Sequence, residues 1–264
     1  MKLRLFSLVE KIIIYLLLGI QIILAQDFWQ QTNGPGSPVY TVATNSNGHI
    51  FVATYNQGLF RSTNNGVSWT RINSGLTSIY VWVIAVDSSG HLLAGSQDAG
   101  LFRSTNNGDN WTATSLANLP ISSIAVNDSG YIFVGTGYGV FRSKDGGDSW
   151  SEETTGLTSL DITSLAIDPL NDFIYAGTYD GGVFKSTDNA KNWNQTSLST
   201  EWVASLIINS SGYIFAGTWG NGVYRSTNEG DNWVKINNGL SISIHLKSSR
   251  TLKNMLKTRL RRSG

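Results

Sequence analysis

An eight-residue motif that occurs five times at nearly even spacing is the feature that most constrains the fold of this 264-residue chain. It reads most plainly as Ser-Lys-Asp-Gly-Gly-Asp-Ser-Trp, from Ser143 to Trp150. The closing Trp residues follow one another at intervals of 42, 39, 43 and 40 residues. A repeat of about forty residues with strand-like content is typical of a four-stranded propeller blade. The spacing therefore predicts consecutive blades rather than helical repeats.

Each position of the motif has its own predicted structural role. Asn or Asp at the third position can fold its side chain back onto nearby backbone N–H groups. Gly at the fifth position allows a positive φ, although the fourth copy has Ala190 there. The closing Trp provides a large apolar anchor. The residues predicted to be structural are Asn64 and Trp69, Asn106 and Trp111, Asp145 and Trp150, Asp188 and Trp193, and Asn228 and Trp233.

The motif resembles the BNR or Asp-box repeat, Ser-x-Asp-x-Gly-x-x-Trp, although Asn replaces Asp in three of the five copies. Such repeats are known from sialidases, sortilin-type receptors, xyloglucan-cleaving glycosidases and photosystem II assembly factors. The resemblance implies boxes that act as hairpin staples away from any active site. The predicted fold is an all-β β-propeller of four-stranded blades. It has five Asp-box blades plus an orphan N-terminal outer strand, as part of an incomplete six- to eight-bladed ring.

The chain divides into three parts. Residues 1–25 begin with three basic residues and continue with an uncharged run of about thirteen residues that ends near Ala25. A membrane-spanning helix needs roughly twenty, so this segment is predicted to be a cleaved signal peptide. The protein is then secreted, periplasmic or extracellular, with no stable membrane span after cleavage. Residues 26–246 are the predicted propeller, and Phe28 to Asn33 resemble the segment that follows each box, as an orphan outer strand would.

Residues 247–264 form a basic tail with seven Lys or Arg and no acidic residue. Leu252, Met255 and Leu256 have the spacing of an amphipathic helix, which can bind membranes or acidic partners. The alternative is a non-native or disordered end left by a truncated or frame-shifted gene. The abrupt change of composition favours this second interpretation.

Charge and composition argue against several classes of function. Residues 27–246 contain 9 Lys or Arg and 17 Asp or Glu, a net charge of −8, which does not favour nucleic-acid binding. The chain has no cysteine, which excludes disulfides, cysteine-based zinc sites and thiol nucleophiles. One Asp or Asn per box is poor calcium ligation, so neither a metal nor another cofactor is predicted.

Chain direction places the boxes on one face and the second-to-third-strand loops on the other. These loops repeat aromatic and acidic residues that suit sugar rings or a protein partner. About half of them are expected instead to pack between blades. The predicted ligand-binding residues are Tyr55, Asp98, Tyr138, Tyr179, Asp180 and Trp219, and the segments between blades add Tyr80, Trp82, Asp161 and Trp202. Tyr179 and Trp219 are expected to hold one sugar or one peptide side chain between them.

The sequence favours binding over catalysis. A glycosidase needs two carboxylates about 5–9.5 Å apart, for which Asp98, Asp161 and Asp180 are the available candidates. The Arg-Ile-Pro motif of the sialidases is missing. The predicted function is a secreted, non-catalytic binding or scaffold module that recognises a glycan or a protein. The alternative is a glycoside hydrolase of the xyloglucanase-like or sialidase-like Asp-box type that acts on a polysaccharide.

Overall fold

The computed structural model describes residues 34–240, which form five four-stranded antiparallel sheets. We number the strands β1 to β20 and the sheets blade 1 to blade 5 in chain order. Blades 1 and 2 consist of β1–β4 (Val39–Thr44, Ile50–Thr54, Gly58–Ser62, Thr70–Arg71) and β5–β8 (Val81–Val86, Leu92–Ser96, Gly100–Ser104, Thr112–Ala117). Blade 3 consists of β9–β12 (Ile121–Val126, Ile132–Thr136, Gly139–Ser143, Ser151–Glu153). Blades 4 and 5 consist of β13–β16 (Ile162–Ile167, Ile174–Thr178, Val183–Ser186, Asn194–Gln195) and β17–β20 (Val203–Ile208, Ile214–Thr218, Gly222–Ser226, Val234–Lys235).

Within each blade, consecutive strands are neighbours joined by short connections. The second strands are the most buried, and every residue of β10 is buried. This explains their runs of aliphatic and aromatic residues, since a strand covered on both sides reads as almost continuously apolar. In every blade the pairing of the first two strands has an irregularity where the first strand begins and the second strand ends, as between Val39 and Thr41 in blade 1. The sequence did not reveal this bulge.

The hydrophobic core lies between the blades. Successive side chains of a strand point to opposite faces of its sheet. In β6, Leu92 therefore packs in the cluster shared with blade 1, and Leu93 packs in the cluster shared with blade 3. Similar clusters join blade 3 to blade 4 and blade 4 to blade 5. Each blade is thus stabilised mainly by its neighbours.

The first strands of the five blades, β1, β5, β9, β13 and β17, contact one another in chain order. The repeated small residue at the end of each second strand allows this arrangement. A Cβ on Gly95 would lie 2.4 Å from a methyl group of Ile121 at the start of the next blade's first strand. The sequence prediction of an all-β propeller with five Asp-box blades is confirmed.

The predicted signal peptide, the orphan strand from Phe28 to Asn33 and the basic tail lie outside the described residues. Within residues 34–240, no helix has the length and apolar character needed to cross a membrane.

Candidate ligand-binding face

Hydrogen bonds assign the connections between strands to two faces. On one, Asn45 in the β1–β2 turn donates from Nδ2 to Oδ1 of Asn107 in the box of blade 2, at 3.0 Å. On the other, the N–H of Trp219 in the β18–β19 loop donates to the carbonyl of Trp202 between blades 4 and 5, at 2.9 Å. We name these the box face and the loop face.

Each box on the box face closes on itself through its first and third residues. In blade 3, Ser143 Oγ donates to Asp145 Oδ1 at 2.7 Å and accepts from the Gly147 N–H at 2.8 Å. Asp145 Oδ1 also accepts from the Ser149 N–H at 2.9 Å. The same bonds recur in the other four boxes. These contacts support a structural role for the boxes.

The two boxes with an Asp have an electrostatic property that the Asn boxes lack. Hydrogen bonds from the Ser149 hydroxyl and N–H, and from Ser143, hold the pKa of Asp145 well below its usual range. Burial alone would raise the pKa of Asp188, but hydrogen bonds from Asn192 and Ser186 lower it. Both carboxylates are therefore ionised acceptors in the folded protein at neutral pH.

The fourth and fifth box residues have positive φ in every copy. Ala190 keeps this conformation at the fifth position, with φ of 68°, although an L side chain is strained there. Its methyl group is buried in the core cluster between blades 3 and 4. The fourth box therefore adds a methyl group to the core where the other boxes have a glycine.

The box Trp residues occupy two different environments. Trp111 and Trp193 are 4% and 3% exposed. Trp111 donates its indole N–H to the Ile72 carbonyl of blade 1 at 2.7 Å. Trp150 is only half-buried and donates within its own box, to the Gly147 carbonyl at 3.1 Å. The sequence predicted the same anchor role for all five Trp residues and did not distinguish these two environments.

The loop face has a repeated hydroxyl staple of its own. The Thr or Ser that ends each second strand donates to the carbonyl of the glycine that starts the third strand or, in blade 4, directly precedes it. In blade 4, Thr178 Oγ1 donates to Gly182 at 3.0 Å and accepts from the Gly181 N–H at 3.0 Å. The staple fixes the loop backbone, so the side chains of the loop positions are free to differ between blades.

Three aromatic rings from blades 4 and 5 lie against one another on the loop face, and we call this row the stack; Trp202 and Trp219 are stacked at an interplanar angle of 25°, and Tyr179 is tilted by 47° against Trp202. The ring centroids of Tyr179 and Trp202 are 4.6 Å apart, and those of Trp202 and Trp219 are 4.8 Å apart. Such distances are those of rings in direct contact. Trp202 thus occupies the space in which Tyr179 and Trp219 were expected to hold a ligand, and that expectation is wrong. A ligand can meet only the outer surfaces of the stack.

Two acidic residues are sequence neighbours of the stack residues. Asp180 follows Tyr179 directly and accepts a hydrogen bond from the Ser159 hydroxyl. Glu201 precedes Trp202, and its carboxylate accepts from the Asn221 amide at 2.7 Å and the Tyr224 hydroxyl at 3.1 Å.

The Glu201 carboxylate affects one of its two partners electrostatically. Burial is the largest cause that raises the pKa of Tyr224, and the hydrogen bond to Glu201 adds to it. The Tyr224 hydroxyl therefore stays protonated and can donate. Sequence reasoning missed Glu201 and Asn221, although Glu201 adjoins a predicted residue and Asn221 lies in a repeated loop.

The other predicted residues are not part of this stack. Tyr55 is 39% exposed and packs edge to face against Tyr40 of its own blade, at 5.8 Å. Tyr138 is 60% exposed, in a loop one residue shorter than the others, so it does not share the position of Tyr55. Asp98 is exposed in the β6–β7 loop, and Tyr80 is exposed between blades 1 and 2.

The catalytic candidates lie on two different blades. The backbones of Asp161 and of the segment that precedes Asp180 are close in blade 4, because the Asp161 carbonyl accepts from the Tyr179 N–H at 3.0 Å. Asp98 belongs to blade 2. In the part of the chain from residue 34 to residue 240, no three His, Asp or Glu side chains are grouped so that they could hold a metal ion.

Comparisons with known proteins agree with this architecture. The sequence model of the DUF6242 beta propeller domain family matches residues 22–128 and 121–243. The chain is similar to the crystal structure of an ancestral GH74 enzyme, with 25% identity and a TM-score of 0.68 over 81% of this chain and 33% of that chain. It is also similar to a GH74 enzyme from Niastella koreensis, with 18% identity and a TM-score of 0.65 over 79% of this chain and 38% of that chain.

A third similar structure is PorZ, a bacterial surface component of the type-IX secretion system of Porphyromonas gingivalis. The identity is 18% and the TM-score 0.58, over 80% of this chain and 35% of that chain. The chain therefore spans about a third of the length of these three solved proteins. None of the curated proteins compared with the chain matches it.

Proposed function

Since the chain belongs to the DUF6242 beta propeller domain family, we propose that it is a secreted, non-catalytic module that binds a glycan or a protein through its loop face. The observation that carries the proposal is the stack of Tyr179, Trp202 and Trp219, with Asp180 and Glu201 as sequence neighbours. Aromatic surface next to fixed hydrogen-bond acceptors is the usual composition of a recognition site.

The stack is suited to recognition because its rings are already ordered. All three side chains are only partly buried, so some ring surface remains in contact with solvent. Ring contacts on Trp202 hold the other two side chains in place, which reduces the entropy that binding would otherwise remove. A sugar ring or an aromatic side chain can lie on an outer ring surface while hydroxyl or amide groups donate to Asp180.

Secretion is a separate part of the proposal. It rests on the signal-peptide pattern of residues 1–25 and on PorZ, a surface component with the same kind of fold. Cell fractionation with an antibody against the protein tests it. Recovery of the full-length protein from the cytoplasmic fraction, with residues 1–25 still attached, would contradict it.

The binding proposal is tested with Trp219→Ala and Tyr179→Ala on a glycan array that includes xyloglucan oligosaccharides, together with a pull-down of protein partners. We expect at least a tenfold loss of affinity with little change in the unfolding midpoint. Tyr138→Ala is the matched control, since it removes an exposed aromatic side chain from the blade 3 loop of the same face, outside the stack. If the stack variants retain wild-type binding, or lose it only because they unfold, the loop face of blades 4 and 5 is not the site.

A glycoside hydrolase is the second candidate function. It is favoured by the similarity to GH74 enzymes and by the position of Asp161 and Asp180 in one blade. An assay of reducing ends released from xyloglucan separates the two functions. Activity lost in both Asp161→Asn and Asp180→Asn would establish hydrolysis, whereas binding without product release supports the non-catalytic module.

A further inference from the structure

The junction between blades 4 and 5 differs from the preceding junctions at one position of the loop face. The residue two places before the first strand is Glu201 there, whereas the other junctions have an aliphatic residue at this place: Ile79, Leu119 and Leu160. The third strand of blade 5 differs too. Its ring residue is Tyr224, whereas the other blades have Phe: Phe60, Phe102, Phe141 and Phe184. The carboxylate and the hydroxyl that bonds it therefore occur together, in one of the four junctions within residues 34–240.

Both flanking blades hold Glu201 in place. Its backbone carbonyl accepts from the Gly182 N–H of blade 4 at 3.1 Å. Its carboxylate meets blade 5, where Oε2 accepts from the Asn221 amide at 2.7 Å and Oε1 accepts from the Tyr224 hydroxyl at 3.1 Å. A carboxylate oxygen has two lone pairs, so each oxygen can accept one more donor. The site is thus fixed in position but keeps acceptor capacity.

Neutral groups, not basic ones, bond the Glu201 carboxylate. Lys235 lies over the Tyr224 ring, with Nζ 5.6 Å from the ring centroid, but it forms no ion pair with Glu201 in the described part of the chain. Burial, the hydrogen bond to Glu201 and the charge of Glu201 together raise the pKa of Tyr224. The half-buried carboxylate therefore has hydrogen-bond partners but no paired cation.

The box face treats its acidic residues differently. Basic residues of three third strands form ion pairs with acidic residues of the next box: Arg61 with Asp109, Arg103 with Asp148, and Lys185 with Glu229. The connections on the loop face, from residue 55 to residue 221, contain no Lys, Arg or His. Their acidic residues are Asp98, Asp161, Asp180 and Glu201. A surface with acidic residues and no basic ones attracts positively charged partners.

Aromatic surface begins at the residue after Glu201. Trp202 contacts Tyr179 of blade 4 and Trp219 of blade 5, and all three rings are partly exposed. Neighbouring Cα atoms are only about 3.8 Å apart, so one long side chain can reach both the carboxylate and the stack. An arginine side chain combines an apolar stem, which covers apolar surface, with a planar guanidinium that matches the two oxygens of a carboxylate.

We propose that Glu201 and the stack bind an arginine side chain of a partner polypeptide. This inference rests on the proposed binding role of the loop face and names the class of ligand. The guanidinium donates to the free lone pairs of Glu201 Oε1 and Oε2, while the methylene groups of the arginine contact exposed ring surface of the stack. Asn221 and Tyr224 keep the carboxylate oriented.

The test uses the full chain and two probe peptides of equal length that differ in charge. The first is a short peptide of alternating Gly and Arg, and the second has citrulline, the neutral analogue of arginine, in place of every Arg. Calorimetry measures both affinities. We expect the Arg peptide to bind about tenfold more tightly, a difference of about 1.4 kcal/mol. Its affinity should fall with added salt, because salt screens charges near the surface.

Variants of the full chain separate Glu201 from net charge and from folding. Glu201→Gln keeps the shape of the side chain and should weaken Arg-peptide binding about tenfold, with citrulline binding unchanged. Glu152→Gln is the control, since it removes one negative charge from the exposed outer strand of blade 3. The double variant Glu201→Leu with Tyr224→Phe gives this junction the residues of the preceding one, Leu160 and Phe184. It should lose Arg-peptide binding with little change in the unfolding midpoint.

The outcomes also distinguish this proposal from the proposed function. Equal binding of the two peptides, no binding of the Arg peptide, or equal losses in Glu201→Gln and Glu152→Gln overturns the arginine site. The proposed function stands after any of these results if Trp219→Ala still removes binding of a glycan or protein ligand. Arg-peptide binding that Trp219→Ala leaves unchanged would contradict both proposals.

Discussion

The box face and the loop face are built by the same five repeats but differ in how much they vary between blades. Every box uses the same Ser and Asx hydrogen bonds, as Ser143 and Asp145 do in blade 3. The loops share one hydroxyl staple, yet their next residue is Tyr, Gln, Gly, Tyr or Trp from blade 1 to blade 5. The hydrogen bonds shared by all five boxes indicate a role in stability. The loop side chains differ between blades on a shared backbone, as residues that recognise a ligand can.

The largest effect is expected for the box Trp residues. Trp111→Ala removes a 4% exposed indole and its bond to the Ile72 carbonyl, so unfolding should become easier by roughly 3–5 kcal/mol. Trp150→Ala, at a half-buried site, should have a smaller effect of about 1–2 kcal/mol. Chemical denaturation measures both. Equal losses would show that the two Trp environments do not differ energetically.

The next largest loss of stability is expected for Gly75, which lies against Trp111 of the following blade. Gly75→Ala forces a Cβ to 2.1 Å from the Trp111 carbonyl oxygen at a positive φ, and we expect a loss of about 2–4 kcal/mol. Gly239→Ala has the same φ strain without the clash, so about 1 kcal/mol is expected. The difference between the two denaturation midpoints isolates the clash. A difference near zero would mean that the junction relaxes freely around the methyl group.

The two faces are compared further by removing one hydroxyl acceptor from each, in the same blade. Thr178→Val leaves the Gly181 N–H without its acceptor, and Ser186→Ala does the same to the Ala190 N–H in the box of the same blade. Each should lower stability by roughly 1–3 kcal/mol, since both groups are buried. Only Thr178→Val should also weaken binding on the glycan array, because Tyr179 and Asp180 follow it directly. Loss of binding in both variants would remove the functional distinction between the faces.

The smallest effect is the contribution of the two Asp boxes to the pH dependence of stability. The pKa of Asp145 and of Asp188 is lowered in the folded state, so each contributes stability above its unfolded pKa of about 3.9. That contribution is lost as the pH falls below about 4. The double variant Asp145→Asn and Asp188→Asn should therefore lose less stability between pH 7 and pH 3 than the wild type. An unchanged acid response in thermal melts would contradict this assignment.

The sequence alone determined the repeated elements of this protein. The box spacing, the turn residues and the small residue before each loop act locally, through φ preferences and hydrogen bonds within a few residues. The same local rules predicted consecutive four-stranded blades, one for each box, as the structure has them. They also predicted that Tyr179 and Trp219 would lie near each other on the loop face.

Only the tertiary structure decided how these elements meet. Trp202 fills the space between Tyr179 and Trp219 because the segment between blades 4 and 5 is bonded to the β18–β19 loop. The boxes of Trp111 and Trp150 are locally alike, yet Trp111 donates its indole N–H to the preceding blade, whereas Trp150 donates within its own box. The environment of Trp111 depends on the chain from Ile72 to Gly75, about forty residues earlier in sequence. Contacts at that separation follow from blade packing, which a local pattern does not contain.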